Sequence, residues 1–287
     1  MAAAARLAPV AHSSDARLDV TASGDHGLDV VERRLALVEI SSLKRYECPK
    51  STRVREIERS LRDTGALVNP VVVDPSRQLL IDGHHRVAAL SNLEFERVPA
   101  YTVDYHSEVV RVRGWKHIAT VEHDVIRSIY SRSRSHAGGA WQVTARDPQS
   151  AVVAERFFKE PLPSVEFLEQ VSSCLDEQGF PVSLVTDGHR IGSGQIGSMI
   201  SPTVGKEQVL AAATSGRPFP AEVNRHIIDG RPLGMHIPLK RTEDVDEFRR
   251  FVEDLFLHAA PYFASPGAVH DGRLYDERVT LFRRRRP

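Results

Sequence analysis

The stretch from Leu79 to Leu90, LLIDGHHRVAAL, places the strongest constraint on how this chain can fold. The apolar run at 79–81 is typical of a buried strand. Gly83 then allows the backbone to turn, and apolar side chains at helical spacing follow it, at positions 87, 88 and 90. The sequence therefore predicts a strand, a tight turn and a helix in immediate succession.

This turn carries three residues that can bind an anion, His84, His85 and Arg86, shortly after the acidic Asp82. A helix N-terminus presents unpaired N–H groups and a partial positive charge, and the planar donor fork of arginine matches phosphate. Asp82 would repel that phosphate unless a divalent cation lay between them, so the turn predicts a site for a metal–nucleotide complex. The alternative is a polar turn in which Asp82 caps the helix and the histidines are solvated.

The same stretch resembles the ParB/sulfiredoxin-like superfamily. Sulfiredoxins have a nucleophilic cysteine beside this turn, where this chain has His84 and His85, so peroxide-repair chemistry is not expected. The chain is more similar to the ParB-like free serine kinases, both the archaeal ADP-dependent branch and the ATP-dependent branch of staphyloferrin B siderophore clusters. The similarity covers residues 33–118 and resumes at 203–257.

The resemblance implies phosphoryl transfer from ATP or ADP to free L-serine, with Mg²⁺ as cofactor. Glu47 matches the position of the family's catalytic glutamate and would accept the hydroxyl proton; the alternative is a surface glutamate at the start of a helix. Asp82 would be the second catalytic residue and the metal ligand. The residues implied to bind the nucleotide are Gly83, His84, His85 and Arg86.

The resemblance also implies a substrate site for the amino acid. Arg225 and His226 offer a clamp for its carboxylate, and Asn224 stands where the archaeal branch has a threonine. Ser60 and Trp115 fall at family substrate positions, with a solvated face and core packing as their alternatives.

The composition argues against several classes of protein. The 38 basic and 38 acidic residues cancel, so no global field attracts nucleic acid or an anionic membrane. Two cysteines are too few for a disulfide framework. No apolar run approaches the roughly 18 residues of a membrane span, and the N-terminal stretch lacks the charge order of a signal peptide. We therefore expect a cytoplasmic protein without a membrane partner.

The local patterns predict an α+β protein with two domains. Residues 1–30 are predicted to be a flexible tail, 31–130 a ParB-like nucleotide-binding domain, and 131–150 a linker rich in Ser, Arg and Gly. Residues 151–287 are predicted to form a second, smaller α/β domain that completes the amino-acid site. Its strongest helix spans about 245–259, with an apolar stripe facing the core.

The leading hypothesis is a free L-serine kinase whose product, O-phospho-L-serine, supplies 2,3-diaminopropionate, siderophore or other natural-product, or cysteine biosynthesis. The rival is a ParB-like, nucleotide-dependent DNA-binding transcriptional regulator, for which Arg132 and Arg134 are the best feature. Against the rival, the short helix candidate at 121–130 has no second helix after it to complete a helix-turn-helix. The sequence leaves open the choice of ATP or ADP, a homodimer and a nucleic-acid partner.

Overall fold

The computed structural model describes residues 25–186, 189–201 and 203–282 and confirms the α+β class. The helices are α1 (Asp25–Arg33), α2 (Ser51–Thr64), α3 (His84–Asn92), α4 (His123–Ser131), α5 (Pro161–Glu177), α6 (Lys206–Ser215) and α7 (Val245–His258), with short 3₁₀ helices at Ile40–Ser42 and Leu239–Arg241. The strands are β1 (Leu35–Glu39), β2 (Ala66–Leu67), β3 (Val71–Asp74), β4 (Leu79–Asp82), β5 (Arg97–Thr102), β6 (Val110–Thr120), β7 (Trp141–Arg146), β8 (Val152–Phe158), β9 (Ser183–Thr186), β10 (Gln195–Ser201), β11 (Asn224–Ile228), β12 (Arg231–Leu233), β13 (Ile237–Pro238), β14 (Tyr262–Ala264), β15 (Ala268–His270), β16 (Arg273–Tyr275) and β17 (Val279–Leu281).

The described residues form two compact units. The terminal unit comprises 25–111 together with 226–282, and the middle unit comprises Val112–Arg225. Strands β6 and β11 carry the chain across the two boundaries. This division differs from the predicted domains at 31–130 and 151–287, because the last part of the chain packs with the first.

The predicted linker at 131–150 is wrong, because β7 lies within it and pairs antiparallel with both β8 and β10. The Ser, Arg and Gly residues before β7 are typical of a loop, so the local sequence does not indicate the strand. The predicted tail at 1–30 is also too long, since α1 begins at Asp25. The remainder of that tail lies outside the described residues.

The terminal unit contains a four-stranded sheet in the order β1-β5-β3-β4. Strand β3 runs parallel to β5 and antiparallel to β4. Val71, Val73 and Leu80 of this sheet belong to one apolar core with Phe248 and Val252 of α7. The predicted apolar stripe of the last helix therefore faces the core.

Three smaller sheets complete the terminal unit. One has the order β12-β17-β14, one pairs β13 with β2, and one is the hairpin of β15 and β16. The β13–β2 pairing joins segments from the two ends of the chain, with Ile237 opposite Leu67. The terminal unit is therefore continuous in space although it is interrupted in sequence.

The middle unit contains a sheet in the order β11-β6-β10-β7-β8, with β9 also paired to β6. Helix α4 is followed by strand β7, so the described chain has no second helix directly after it. None of the described helices combines the length and apolar character needed to cross a bilayer.

Candidate active site

The predicted strand, turn and helix are confirmed as β4, Gly83 and α3. Gly83 occupies the N-cap position with φ 105°, and no side chain caps the helix. A Cβ at this position would lie 2.7 Å from Cγ1 of Val71 on the neighbouring strand. Glycine is therefore needed here for both the left-handed backbone and the close approach of β3.

Asp82, the last residue of β4, pairs with two arginines instead of capping α3. Its Oδ2 accepts a 2.7 Å hydrogen bond from Nη1 of Arg231 and lies 3.3 Å from Nη2 of Arg86. Burial acts to raise the pKa of Asp82, but the charges of Arg231, Arg86 and Arg273 outweigh it and hold that pKa well below its usual range. Asp82 is therefore ionised at neutral pH.

Arg86 anchors the loop that precedes β3. Its Nη1 donates to the backbone carbonyls of Asn69 at 2.9 Å and Pro70 at 2.6 Å, while Nη2 faces Asp82. Its side chain keeps 20% exposure. The guanidinium thus lies at the predicted turn, and several of its donors are already engaged by protein acceptors.

Glu47 and His84 lie together in the terminal unit, although they come from separate segments. Glu47 is buried, and its Oε2 is 3.8 Å from Nδ1 of His84. Burial lowers the pKa of His84 to about 3, so the imidazole is neutral at physiological pH. Its Nε2 is buried without a hydrogen-bond partner among the described residues. The alternatives for these two residues were a surface glutamate and a solvated histidine. The structure shows neither, because both Glu47 and His84 are buried.

His226 lies between two buried tyrosines. Its Nδ1 is 3.1 Å from the hydroxyl of Tyr46 and its Nε2 is 2.8 Å from the hydroxyl of Tyr105. The Tyr46 hydroxyl also donates to the carbonyl of Ile81, 3.2 Å away on β4. Burial raises the pKa of both phenols, which therefore stay protonated. This chain of contacts joins the segment before Glu47 to the strand that ends at Asp82.

Two buried charges were missed by the sequence analysis, Arg231 and Glu277. Arg231 donates through Nη2 to the carbonyl of His226 at 2.7 Å, and its Nε lies 3.4 Å from Oε1 of Glu277. Glu277 is 1% exposed. The available signal was the Asp229-Gly230 pair, a dipeptide that favours tight turns and here precedes Arg231 directly.

The remaining predicted residues of the terminal unit are more peripheral. Nε2 of His85 accepts a 3.0 Å hydrogen bond from the backbone N–H of Lys50, just before α2. Ser60 is exposed on α2. His85 therefore helps to position the start of α2, and the predicted substrate contact of Ser60 stays a prediction.

The middle unit brings together three predicted substrate residues. Trp115 donates through Nε1 to the carbonyl of Asn224 at 3.0 Å, and the Arg225 guanidinium lies 5.5 Å from the centre of the Trp115 ring. The Asn224 amide donates to the carbonyl of Val204 at 3.2 Å. Trp115 lines an open cavity in this unit, whose polar lining residues include His117, Glu169, Thr203 and Glu222.

The predicted clamp of Arg225 and His226 is not formed. The two residues are neighbours on β11, and successive side chains of a strand point to opposite faces. Arg225 accordingly contacts Trp115, whereas His226 contacts Tyr46 and Tyr105. Their spacing in the sequence suggested proximity, but strand geometry separates their functional groups.

Comparisons with known proteins identify several that are similar in sequence. No family model matches the chain. A ParB-like protein of Sulfolobus acidocaldarius is 30% identical over 159 residues, which are 55% of this chain and 73% of that protein. An ATP-dependent L-serine kinase of Desulfurococcus mucosus is 34% identical over 83 residues, 28% of this chain and 32% of the kinase. The ADP-dependent L-serine kinase SerK of Thermococcus kodakarensis is 22% identical over 230 residues, 71% of this chain and 90% of the kinase.

Two solved structures have a similar fold. SbnI with C-terminal truncation from Staphylococcus aureus superposes with a TM-score of 0.63 at 18% identity, covering 79% of this chain and 98% of that one. A free serine kinase in complex with AMP gives a TM-score of 0.56 at 20% identity, covering 72% and 92%. The alignment with the Desulfurococcus kinase spans only about a third of that enzyme, whereas the Sulfolobus alignment covers most of its protein. On these grounds the chain belongs to the ParB-like protein family and has the fold of the free serine kinases.

Proposed function

We propose that this protein is a kinase that transfers a phosphoryl group from ATP or ADP to the hydroxyl of free L-serine. The observation that carries the proposal is the contact of Glu47 with His84, a residue of the turn at 82–86, at 3.8 Å. Phosphoryl transfer to an alcohol needs a carboxylate base close to the phosphate-binding groups. The serine kinases among its relatives support the same activity.

Glu47 is proposed as the general base. The serine hydroxyl gives its proton to Glu47, its oxygen forms the new bond to the terminal phosphorus, and the nucleotide leaves with one phosphate fewer. Because the neighbouring His84 is neutral, it brings no positive charge that would make the carboxylate a weaker base. Tyr46, hydrogen-bonded to Ile81, holds the segment that carries Glu47 beside β4.

The phosphates are proposed to bind at the turn between β4 and α3. Gly83 permits close approach of a ligand to the backbone there, and the first N–H groups of α3 favour an anion. Arg86 and Arg231 add positive charge beside the turn. The relatives include both an ATP-dependent and an ADP-dependent enzyme, so both donors are candidates.

Mg²⁺ is proposed as the cofactor, with Asp82 as its protein ligand. The described residues contain no group of three or more His, Cys, Asp or Glu that would form an all-protein metal site. A single carboxylate nevertheless fits, because Mg²⁺ in such enzymes binds one or two carboxylates together with substrate phosphates. The ion would neutralise phosphate charge, and Arg86 and Arg231 would hold the ionised Asp82 in place.

Trp115, Asn224 and Arg225 are proposed to bind the amino acid, with Arg225 as partner of the carboxylate. His226 is proposed to act indirectly, because its two ring nitrogens contact the hydroxyls of Tyr46 and Tyr105. The product would serve an enzyme that replaces the phosphate at the β-carbon. The need for a nucleotide donor fits the cytoplasmic location expected from the sequence.

The DNA-binding alternative is not favoured. A helix-turn-helix needs a second helix after a short turn, and α4 is instead followed by β7. The zero net charge of the chain also gives no general attraction to DNA.

The test incubates the purified full chain with ATP or ADP, Mg²⁺ and a panel of L-serine, D-serine, L-threonine and L-homoserine. Mass spectrometry should detect phosphorylated L-serine, and excess chelator should abolish it until Mg²⁺ is restored. Full activity in chelator would contradict the metal role of Asp82. If no amino acid is phosphorylated but the protein shifts DNA in a salt-dependent manner, the regulator would replace the kinase.

A further inference from the structure

The hairpin of β15 and β16 holds two basic side chains opposite each other. A two-residue turn, Asp271-Gly272, joins the strands, with φ 48° and 74° respectively. Both values are typical of the tight turn that an Asp-Gly pair favours. The register places His270 directly across from Arg273 and Val269 across from Leu274.

The two faces of this hairpin differ in exposure. Val269 and Leu274 share one face and are 63% and 46% exposed. Tyr275, on the other face with His270 and Arg273, is 4% exposed and packs in one cluster with Leu233. Since Leu233 belongs to β12, the strand that begins at Arg231, the inner face of the hairpin lies beside the strand that carries the partner of Asp82.

A second contact connects the hairpin to the loop at Asn69 and Pro70, whose carbonyls accept hydrogen bonds from Arg86. A Cβ on Gly234 would lie 3.1 Å from Cε1 of His270, so the hairpin approaches the backbone closely there. The N–H of Gly234 donates to the side chain of Asn69 at 2.7 Å, and the carbonyl of Asn69 accepts from Arg86. Three contacts, through Gly234 and Asn69, thus connect His270 to Arg86 in the turn at 82–86.

Arg273 retains a buried donor atom without an acceptor. Nε of Arg273 and Nε2 of His270 are buried and make no hydrogen bond with any described residue. The Arg273 guanidinium lies 5.1 Å from the centre of the Tyr275 ring, and a carboxylate oxygen of Asp271 lies 3.4 Å from Nε2 of His270. Buried polar atoms in folded proteins rarely lack a partner, so the Nε–H of Arg273 indicates a place where a ligand supplies the acceptor.

The surrounding charges favour an anionic ligand. Arg231, at the start of β12, donates to Asp82 at 2.7 Å, and Arg86 lies 3.3 Å from the same carboxylate. Asp82 and Glu277 both lie beside Arg231, and Asp271 lies beside His270. None of these three carboxylates forms an ion pair with Arg273 among the described residues, so its guanidinium is available to an anionic ligand such as phosphate.

We propose that Arg273, together with His270, binds a phosphate group of the nucleotide, so that the β15–β16 hairpin forms part of the phosphate site. The inference rests on the proposed function only for the identity of the phosphate compound. It adds to the turn at 82–86 a second phosphate-binding element, from a segment about 190 residues further along the chain.

The test compares Arg273→Gln with a matched control, Arg278→Gln, in the full-length protein. Arg278 also stacks on an aromatic ring, 4.5 Å from the centre of Phe263, but its guanidinium pairs with Asp229 at 2.8 Å. Calorimetric titration with AMP, ADP and ATP in the presence of Mg²⁺ gives the affinities, and thermal unfolding checks that each variant folds. We expect R273Q to weaken ADP and ATP binding by about tenfold or more, as for loss of a charge-assisted hydrogen bond, and R278Q to bind like the wild type.

Wild-type affinities in R273Q would overturn the inference, and so would an equal loss in both variants. If R273Q does not fold, Arg273→Lys keeps the charge but lacks Nε, and nucleotide binding equal to the wild type would again overturn it. The two proposals fail separately. A wild-type protein that binds nucleotide but phosphorylates no serine contradicts the kinase, whereas an active kinase whose KM for nucleotide is unchanged in R273Q contradicts only the role of Arg273.

Discussion

Arg231 donates a 2.7 Å hydrogen bond to Asp82 although 149 positions separate the two residues in the chain. The same guanidinium lies 3.4 Å from the buried carboxylate of Glu277 and donates to the backbone of His226. A single side chain from the last part of the terminal unit therefore holds the acidic residue of the candidate phosphate site.

Replacing Arg231 with methionine should destabilise the protein strongly. The change leaves Glu277 buried without its cationic partner, and breaking a buried pair in this way costs roughly 3–5 kcal/mol. Urea unfolding would measure the loss, with Arg249→Met as control because that exposed arginine pairs only at the surface with Asp246. The double variant R231M/E277Q should recover part of the stability, and equal losses in R231M and R249M would contradict this account.

Glu47→Gln should preserve binding but remove most turnover. The amide is nearly isosteric with the carboxylate, yet it cannot accept the serine proton, so kcat should fall by about a hundredfold or more with little change in KM. Glu39→Gln is the control, because Glu39 is half exposed and paired with Arg97 at 2.6 Å. Steady-state kinetics at saturating nucleotide would measure kcat for both variants. Near-normal turnover in E47Q would contradict the role of Glu47 as the general base.

Gly83→Ala should destabilise the fold more than Gly65→Ala. Both glycines have positive φ, 105° and 62°, but only at Gly83 would the new Cβ meet Val71, at 2.7 Å. The backbone strain alone costs about 1–3 kcal/mol, and the overlap adds to it. Thermal unfolding of the two variants measures the difference, which would be absent if β3 can move away freely.

Stability should fall on acidification partly through His84. Its pKa is about 3 in the folded protein, below the ordinary value of 6.5, so between these values the unfolded chain binds a proton that the folded chain does not. The contribution of neutral His84 to folding is therefore complete above about pH 6.5 and is lost as the pH falls toward 3. His84→Gln should flatten the pH dependence of the unfolding free energy in this window, and an unchanged slope would contradict the burial of the neutral ring.

The turn at 82–86 could be predicted from sequence because all of its signals are contiguous. An apolar run, a glycine and a helical pattern lie within twelve residues, from Leu79 to Leu90. The core face of α7 was predicted for the same reason, since its apolar spacing is local. These predictions depend on backbone propensity and periodicity rather than on distant partners.

Arg231, Glu277 and Arg273 could not be identified in the same way, because their surroundings arise only after distant segments pack. A lone arginine after an Asp-Gly turn is typical of a solvated hairpin, and nothing local distinguishes Glu277 from a surface acid. The clamp of Arg225 and His226 failed for a related reason. Adjacency in the chain predicted proximity, whereas the extended backbone of β11 turns the two side chains apart.

The interruption of the terminal unit by residues 112–225 has a consequence for biosynthesis. When residues 25–111 leave the ribosome, the apolar side chains that complete their core, among them Met235, Ile237 and Phe248, have not yet been translated. The middle unit, continuous in sequence, can be made whole before them. The apolar core of the nascent amino-terminal segment therefore stays incompletely buried while more than a hundred further residues are synthesised. Protection by chaperones matters most for this chain during that period.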